Sequence, residues 1–383
     1  TIDRLRMDAD LLAALPVELS QQIRGLDIQG PLQLEGDIYL AHQPAATKSL
    51  HASWRVRLEV AGASIDCGTR LSGIHGGIQF TGVVDDRGFR SSAFVEIDSM
   101  FLGNQQITKI QGPLWIDERQ ILAGNWARAT QQNKTGSTVI RQPQRPAMSL
   151  TGHSFGGVAK IDLQVLFDKD QRRIEHNSGK SQPRFMLQAS LLQADLALLA
   201  RHRGVQERTS GRVDATLRLQ GVAGDRTSWL GDGQVRLKQA DTYELPLMVA
   251  LFNKIDMQAD RGVFSSTDVD FRIRNDQIVL DRIDLRGDTV SLYGTGWLSF
   301  EEEINLNFYS RVGRQQITIP IINAVLTEAS KSLLQIEVVG TVGQPRVNRT
   351  AFPELDGAME RILKNLEPRI AAPIRDGQGA GVL

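Results

Sequence analysis

The chain has few of the residue types that carry metal or redox chemistry. Cys67 is its only cysteine, which excludes an intrachain disulfide and a cysteine-based zinc site. The 6 histidines are never paired at the spacing of metal ligands, so the sequence predicts no metal and no cofactor. Acidic and basic residues balance at 44 each. Without a basic field to meet a phosphate backbone, we expect no nucleic-acid partner.

Long apolar runs are also missing. No run reaches the length of about 18 residues that a membrane-spanning helix needs. No signal peptide is visible and the chain opens at Thr1, so we expect a fragment or a mature portion whose targeting segment is missing. At 383 residues the chain is long enough for a sizeable core and for one to three domains.

Short alternating segments dominate what is present. Apolar and polar residues alternate in them, with the two-residue period of a β-strand that has one buried face. Phe271 and Ile273 face one way, for example, and Arg272 and Arg274 face the other. Many segments end at glycine or at Asp and Asn, which is typical of hairpin turns. The alternation is clearest at 31–40, 54–60, 77–82, 94–97, 114–116, 161–167, 184–187 and 212–219, and then through 229–347.

Few segments have the three- and four-residue apolar spacing of a helix. Those segments are Ala9–Gln22, Leu191–Arg201, Pro246–Ile255, Pro320–Leu333 and Pro353–Leu366. The last three begin with proline, which suits the first helical turn because its missing N–H costs nothing there. The fold class that we predict is mainly β with a few amphipathic helices. The strands would form an elongated, curled antiparallel β-sheet, shaped as a groove, with a short C-terminal helix.

The order of elements suggests an internal repeat. A helical segment, a polar connection, a glycine and an alternating strand occur before Leu40 and again before Leu219. The polar segments 125–147 and 169–183 are predicted loops. We therefore divide the chain into three parts. Residues 1–147 form a β-rich repeat with a leading helix, 148–350 a β-groove region, and 351–383 an amphipathic helix with a disordered tail.

One motif points to catalysis. Gly152-His-Ser154-Phe-Gly156 matches the Gly-x-Ser-x-Gly elbow of serine hydrolases, in which a sharp strand-to-helix turn exposes the nucleophile. The residues that follow it alternate as a strand does, and His176 and His202 are the only downstream histidines. We therefore interpret the glycines as a bend between two strands and expect no enzymatic activity. A serine hydrolase using Ser154 is a remote alternative.

The segments between 211 and 347 resemble, in their order and spacing, the C-terminal region of the AsmA-like and TamB-like envelope protein family. The features that carry the resemblance are Gly-Gln-Val-Arg-Leu at 233–237, Leu-Pro-Leu at 245–247, the alternating series at 271–287, Gly-Thr-Gly-Trp-Leu at 294–298, and Val-Gly-Thr-Val at 339–342. Each is an unspecific pattern by itself, and their sequence along the chain makes the resemblance.

The resemblance implies both a place and a task. Proteins of this family look like groove-shaped β-sheets of the Gram-negative envelope, anchored by an N-terminal helix, that move lipids or aid outer-membrane assembly. It therefore implies a location in the periplasm or cell envelope, with the membrane anchor in a segment absent from this chain. It also implies a phospholipid or other acyl-chain lipid as ligand, and envelope membrane proteins as partners.

The residues by themselves leave two ways to bury the apolar faces, a lipid-binding groove and a closed core. Each strand must bury its apolar face, and the sequence predicts few long helices that could pack against so many strands. Acyl chains could cover these faces, and each CH₂ group so buried would stabilise the complex by about 0.8 kcal/mol. A closed β core would serve as well, and would make the protein a ligand-free structural or assembly scaffold. The candidate groove-lining residues share the apolar side of C-terminal strands: Phe271, Ile273, Ile283, Leu285, Leu292, Leu298, Leu306 and Phe308.

Overall fold

The structure, a computed structural model, describes residues 2–5, 28–42, 50–66, 70–86, 88–126, 148–167, 183–202, 210–241, 266–287, 290–312 and 334–351. These residues form one large antiparallel sheet of 18 strands and one short helix, α1 (Leu196–His202). The mainly β prediction is confirmed. The strands are β1 (Ile2–Leu5), β2 (Leu32–His42), β3 (Leu50–Asp66), β4 (Arg70–Asp85), β5 (Gly88–Leu102), β6 (Gln105–Asp117), β7 (Gln120–Ala123), β8 (Leu150–Ser154), β9 (Gly157–Leu166), β10 (Arg184–Asp195), β11 (Ser210–Val222), β12 (Asp225–Asp241), β13 (Ser266–Arg274), β14 (Gln277–Arg286), β15 (Val290–Ser299), β16 (Glu303–Val312), β17 (Leu334–Thr341) and β18 (Pro345–Ala351).

The strands follow one another through the sheet in chain order. Nearly every strand pairs antiparallel with the next one along the chain, as hairpins do. The one departure is local: β6 pairs with both β7 and β8, and both of these pair with β9. Among the strands that the structure describes, β1 lies at one edge, beside β2, and β18 lies at the other, beside β17. Consecutive pairing keeps the register of each strand tied to a short turn.

The sheet is consistent with the predicted curl. Trp229 lies on β12, Phe300 lies in the turn after β15, and strands β13 and β14 lie between them. In a flat sheet three strand spacings amount to about 14 Å. The two ring centroids are only 5.9 Å apart. A sheet that bends towards this side brings such side chains together.

Helix α1 is shorter than the sequence predicted. Leu191 and Leu192 belong to β10, where they pair with Ala215 of β11 and Val158 of β9. The helix begins only after Asp195, whose carboxylate accepts a hydrogen bond from the Ala197 N–H at 2.8 Å and so caps the first turn. The prediction of a helix from 191 was therefore wrong in its first part, because the ladder to β9 and β11 continues the strand to Asp195.

The other predicted helices, at 9–22, 246–255, 320–333 and 353–366, lie outside the described residues, as do the predicted tail and most of both predicted polar loops. One feature of the suggested repeat is visible. Gly30, two residues before β2, and Gly211, the second residue of β11, both have positive φ, +112° and +133°. Leu32 and Val213, two residues after these glycines, are buried. In both places the strand after the glycine pairs antiparallel with the strand before it, β2 with β1 and β11 with β10.

Candidate functional site

One face of the sheet is apolar from β2 to β18. Cross-strand partners in an antiparallel pair point to the same face, so a row of side chains can be followed from strand to strand through the register. One such row is Leu34, Leu58, Ile78, Val95 and Gly112. It crosses to β8 beside the pair Gln111 and Thr151, where Leu150 lies against Gly112. It continues as Ile161, Ala189, Leu217, Gly233, Phe271, Leu280, Gly296, Leu306, Val338 and Val347. We call the side that carries this row the apolar face.

All the groove candidates from the sequence lie on the apolar face. Six of them are buried: Ile273, Ile283, Leu285, Leu292, Leu306 and Phe308. Protein atoms cover them, since Phe308 and Leu292 are 0% exposed. Phe271 and Leu298 are half-buried. The C-terminal strands therefore hold a packed centre, and only part of the predicted lining faces a space that a ligand can reach.

The sequence reading missed how far the apolar face extends. Outside the packed centre its side chains are mostly half-buried, on strands that the candidate list did not include. Leu58 on β3, Leu187 on β10, and Leu217 and Leu219 on β11 belong to this group, with Leu280 on β14. The signal was present in the same alternation that marked the C-terminal strands. Reading it required knowing that β2 to β12 pair in one sheet with β13 to β18.

Aromatic rings on the apolar face lie over glycines of neighbouring strands. Trp54 pairs with Gly82, Phe271 with Gly233 and Phe308 with Gly294. A Cβ built on Gly82, Gly233 or Gly294 would lie 2.3 to 2.5 Å from the ring that pairs with it. The ring thus fills the space that the missing side chain leaves, a known way of stabilising glycine in a sheet.

Further rings gather on the apolar face near the β11–β12 and β15–β16 turns. Phe185 and Trp229 meet edge to face at 5.9 Å, and Trp229 meets Phe300 in the same way. The guanidinium of Arg226 lies 5.8 Å from the centre of the Phe300 ring. All three rings are half-buried and Arg226 is exposed. This end of the apolar face thus combines aromatic surface with a cation.

The opposite face carries polar and charged residues over the same strands. We call it the polar face. Its ion pairs run across strands: Arg236 Nε lies 3.3 Å from Asp268 Oδ1, and Arg282 Nη1 lies 3.6 Å from Asp270 Oδ2. Asp284, which is buried, accepts hydrogen bonds from Arg282 and Arg286 at 3.0 Å each. Arg272 pairs with Asp281. Ion pairs across strands and within β14 thus link the charged residues of the polar face over β12, β13 and β14.

The pKa values of Asp214 and Arg282, both on the polar face, are shifted by their neighbours. The Gln193 N–H donates to Asp214 Oδ1 at 2.8 Å, and this bond is the main cause that holds the pKa of Asp214 below its ordinary 3.8. For Arg282, partial burial is the largest single effect and by itself would lower the pKa. The hydrogen bond to Asp284 and the nearby carboxylate charges together outweigh burial, so the pKa of Arg282 is raised. Both groups are therefore held in their charged forms.

Ser154 lies in a β-hairpin, as the structural interpretation predicted. It ends β8 and pairs with Gly157 at the start of β9, with Phe155 and Gly156 as a two-residue turn. Both turn residues have positive φ, 50° and 71°, which is the type I′ geometry of tight hairpins. The serine hydroxyl is buried and accepts a hydrogen bond from Gln105 at 3.0 Å. His202 packs its ring against Phe155 at 5.5 Å. A strand-to-helix elbow is not formed here.

Other kinds of site leave no trace in the described part of the chain. No group of three or more His, Cys, Asp or Glu side chains lies close enough to hold a metal ion there. None of the helices in the described ranges is long and apolar enough to span a membrane. Comparison with known proteins gives no assignment, because no family model, curated protein or solved structure matches the chain. The apolar face is therefore the candidate functional site on the strength of its own geometry.

Proposed function

We propose that this chain is a non-enzymatic cell-envelope protein that binds or conducts lipid along its apolar face, aiding lipid transport or outer-membrane assembly. The observation that supports this is the unbroken apolar row from β2 to β18, backed by a polar face on the same strands. Acyl chains are the ligands that suit such a surface, because they need apolar contact over a long distance and no directional hydrogen bonds. The envelope location comes from the resemblance described above.

The half-buried side chains are the proposed contact sites for lipid. Leu58, Leu187, Leu217, Leu219 and Leu280 retain exposed apolar area on a folded protein. Soluble proteins seldom leave large contiguous apolar areas in water, and those that do use them for binding. Phe271 and Leu298, from the original candidates, belong to the same half-buried set.

A second function is favoured by the packed centre of the C-terminal strands. Phe308, Leu292, Ile336 and Val338 are each 0% exposed, which is the state expected of a closed β core. If the whole face were covered in this way, the protein would act as a ligand-free envelope scaffold. The two functions differ in what occupies the half-buried region, and that is open to experiment.

The test is lipid analysis of the natively purified chain beside a variant of the half-buried region. Leu219→Asp with Leu280→Asp places two charges on the apolar face at side chains that are not fully buried, so the fold should survive. The matched control is Met186→Asp with Leu230→Asp, which puts the same charges on the polar face at positions 38% and 48% exposed. Circular dichroism and thermal unfolding establish that all three proteins are folded.

We expect at least about one molecule of co-purified phospholipid per chain in the wild type and in the control. In the apolar-face variant we expect the amount of phospholipid per chain to fall at least tenfold. A folded wild-type protein free of lipid would overturn the lipid proposal and leave the scaffold. Equal lipid in all three proteins would show that lipid binds elsewhere. Leu306 and Phe308 are unsuitable for this test, because at 3% and 0% exposure a charge there would unfold the sheet.

A further inference from the structure

The polar face changes its chemistry after β14. Over β12–β14 it carries the arginine and aspartate ion pairs described above. Over the middle of β15–β18, the residues that face the same way bear aromatic rings, amides and hydroxyls in place of most of these charges. We call this group the amide–aromatic platform, and its members are Tyr293, Thr295, Trp297, Asn305, Asn307, Tyr309, Gln335, Glu337, Val339, Arg346 and Asn348.

The register sets the platform out as three neighbouring rows. The rows are Trp297, Asn305, Val339 and Arg346, then Thr295, Asn307, Glu337 and Asn348, then Tyr293, Tyr309 and Gln335. None of these residues is buried: Thr295, Arg346 and Asn348 are exposed and the others are half-buried. Since the sheet bends towards its apolar face, the platform lies on the outer side of the bend, where a large ligand can reach it.

Aromatic rings stand at two ends of the platform. Trp297 and Tyr293 lie on the same side of β15 at positions that are about 13 Å apart along an extended strand. Tyr309 is the cross-strand partner of Tyr293, so that end carries two rings. The side-chain amides of Asn305 and Asn307 lie between the two ends, and each amide can both donate and accept a hydrogen bond. A ligand that crosses the platform therefore meets rings at both ends and hydrogen-bonding groups between them.

This composition and its charge balance fit a neutral sugar chain better than other large ligands. Sugar hydroxyls donate and accept hydrogen bonds as amides do, and the C–H groups on the face of a sugar ring pack against an aromatic ring. A protein partner would need an apolar centre, and Val339 is the only aliphatic residue of the platform. A nucleic acid or other polyanion would need a cluster of cations. Arg346 is instead balanced by Glu337, and Glu303 adds a negative charge in the next row.

We propose that the amide–aromatic platform binds an extended, neutral, β-linked polysaccharide. The linkages of such a chain keep it flat, so that successive sugars can contact Trp297, the amides and the Tyr293–Tyr309 pair in turn. The platform lies on the face opposite to the proposed lipid contacts, so the proposal does not depend on lipid binding.

Calorimetric titration of the purified chain with cellohexaose and with N-acetylchitohexaose tests the proposal. Maltohexaose is the control ligand, because its α linkages make the chain curl. We expect saturable binding of at least one β-linked oligosaccharide, and binding of maltohexaose at least tenfold weaker. Trp297→Ala with Tyr293→Ala should weaken binding of the β-linked oligosaccharide at least tenfold. Tyr39→Ala, on β2 and away from the platform at a residue 68% exposed, is the matched control that should bind as the wild type does.

A second variant keeps the test valid if circular dichroism shows that the ring variant does not fold. Asn305→Leu with Asn307→Leu removes the hydrogen-bonding groups at nearly the same side-chain volume, and should weaken binding at least fivefold. A folded wild-type chain that binds neither β-linked oligosaccharide would overturn the proposal. So would binding that the folded platform variants leave unchanged, or maltohexaose that binds as tightly as the β-linked chains. A photoreactive residue at position 297 that crosslinks to a protein, in a chain that binds no oligosaccharide, would assign the platform to a protein partner instead.

Discussion

At the scale of single residues, the apolar face depends on the match between rings and glycines. Phe308 is 0% exposed and pairs with Gly294, where an added Cβ would lie 2.5 Å from the ring. The ring is enclosed and has no room to shift. We expect Gly294→Ala to lower the free energy of unfolding by about 1–3 kcal/mol, the usual cost of overpacking a core. Urea denaturation measures it.

Gly343→Ala is the matched control for that substitution. Its added Cβ would have nothing within 4 Å. We expect its free energy of unfolding to stay within about 0.5 kcal/mol of the wild type, as for most surface changes. If both alanine variants were equally stable, the ring of Phe308 would not be fixed in the way that the structure shows.

Asp214 carries a pH-dependent part of the stability. Its folded-state pKa is held below 3.8, chiefly by the Gln193 N–H. A carboxylate with a lowered pKa stabilises the fold fully at pH values above its unfolded pKa, and this contribution is lost as pH falls through the folded pKa. We expect Asp214→Asn to lower the free energy of unfolding by roughly 1 kcal/mol at pH 7.

The measurement is the difference between wild type and Asp214→Asn in urea unfolding at several pH values. The difference should be constant from neutral pH down to about pH 4, and should shrink below that as Asp214 takes up a proton. A difference that stays the same down to pH 2 would mean that the asparagine acts through packing rather than through charge.

At the scale of elements, the hairpin between β8 and β9 supports the structural interpretation of the hydrolase-like motif. Ser154 is buried, and its hydroxyl accepts from Gln105 in a two-residue turn. We therefore expect no labelling of Ser154 by a fluorophosphonate probe. We expect Ser154→Ala to lower the free energy of unfolding by about 1 kcal/mol, the usual contribution of one hydrogen bond. Probe labelling of the wild type that the Ser154→Ala variant abolishes would contradict this interpretation.

The strand elements were predictable from sequence because one side of each strand is buried and the other faces solvent. Turns were predictable from their residue types: Asn275 and Asp276 both take the positive φ that tight hairpin turns need, 48° and 67°. The start of α1 was not predictable in the same way. Leu191 and Leu192 have helical spacing to later residues, yet they pair across strands with Ala215 and Val158. Pairing with distant segments is invisible to a local pattern.

At the scale of the whole molecule, the sequence predicted which side of each strand is apolar. It did not predict that these sides join into one continuous face across the sheet. Phe271 and Leu306 were recognised as apolar-side residues, but Leu58 and Leu217 lie in the same row some strands away. That row exists only because β2 to β18 form one sheet. Burial also separates the candidates: Phe308 lies in a packed centre, whereas Phe271 is half-buried. Packing density of this kind depends on what lies opposite each strand, which an alternating pattern does not record.

The central claim is that lipid lies along the half-buried part of the apolar face, and photo-crosslinking in living Gram-negative cells tests it most directly. A photoreactive phenylalanine replaces Leu58, Leu217 or Leu280 on the apolar face, and Met186 or Leu230 on the polar face. Lipid adducts are then measured by mass spectrometry of the purified chain. The account predicts phospholipid adducts at all three apolar-face positions and none at the two polar-face positions. Adducts at neither set of positions, in proteins that remain folded, would contradict it.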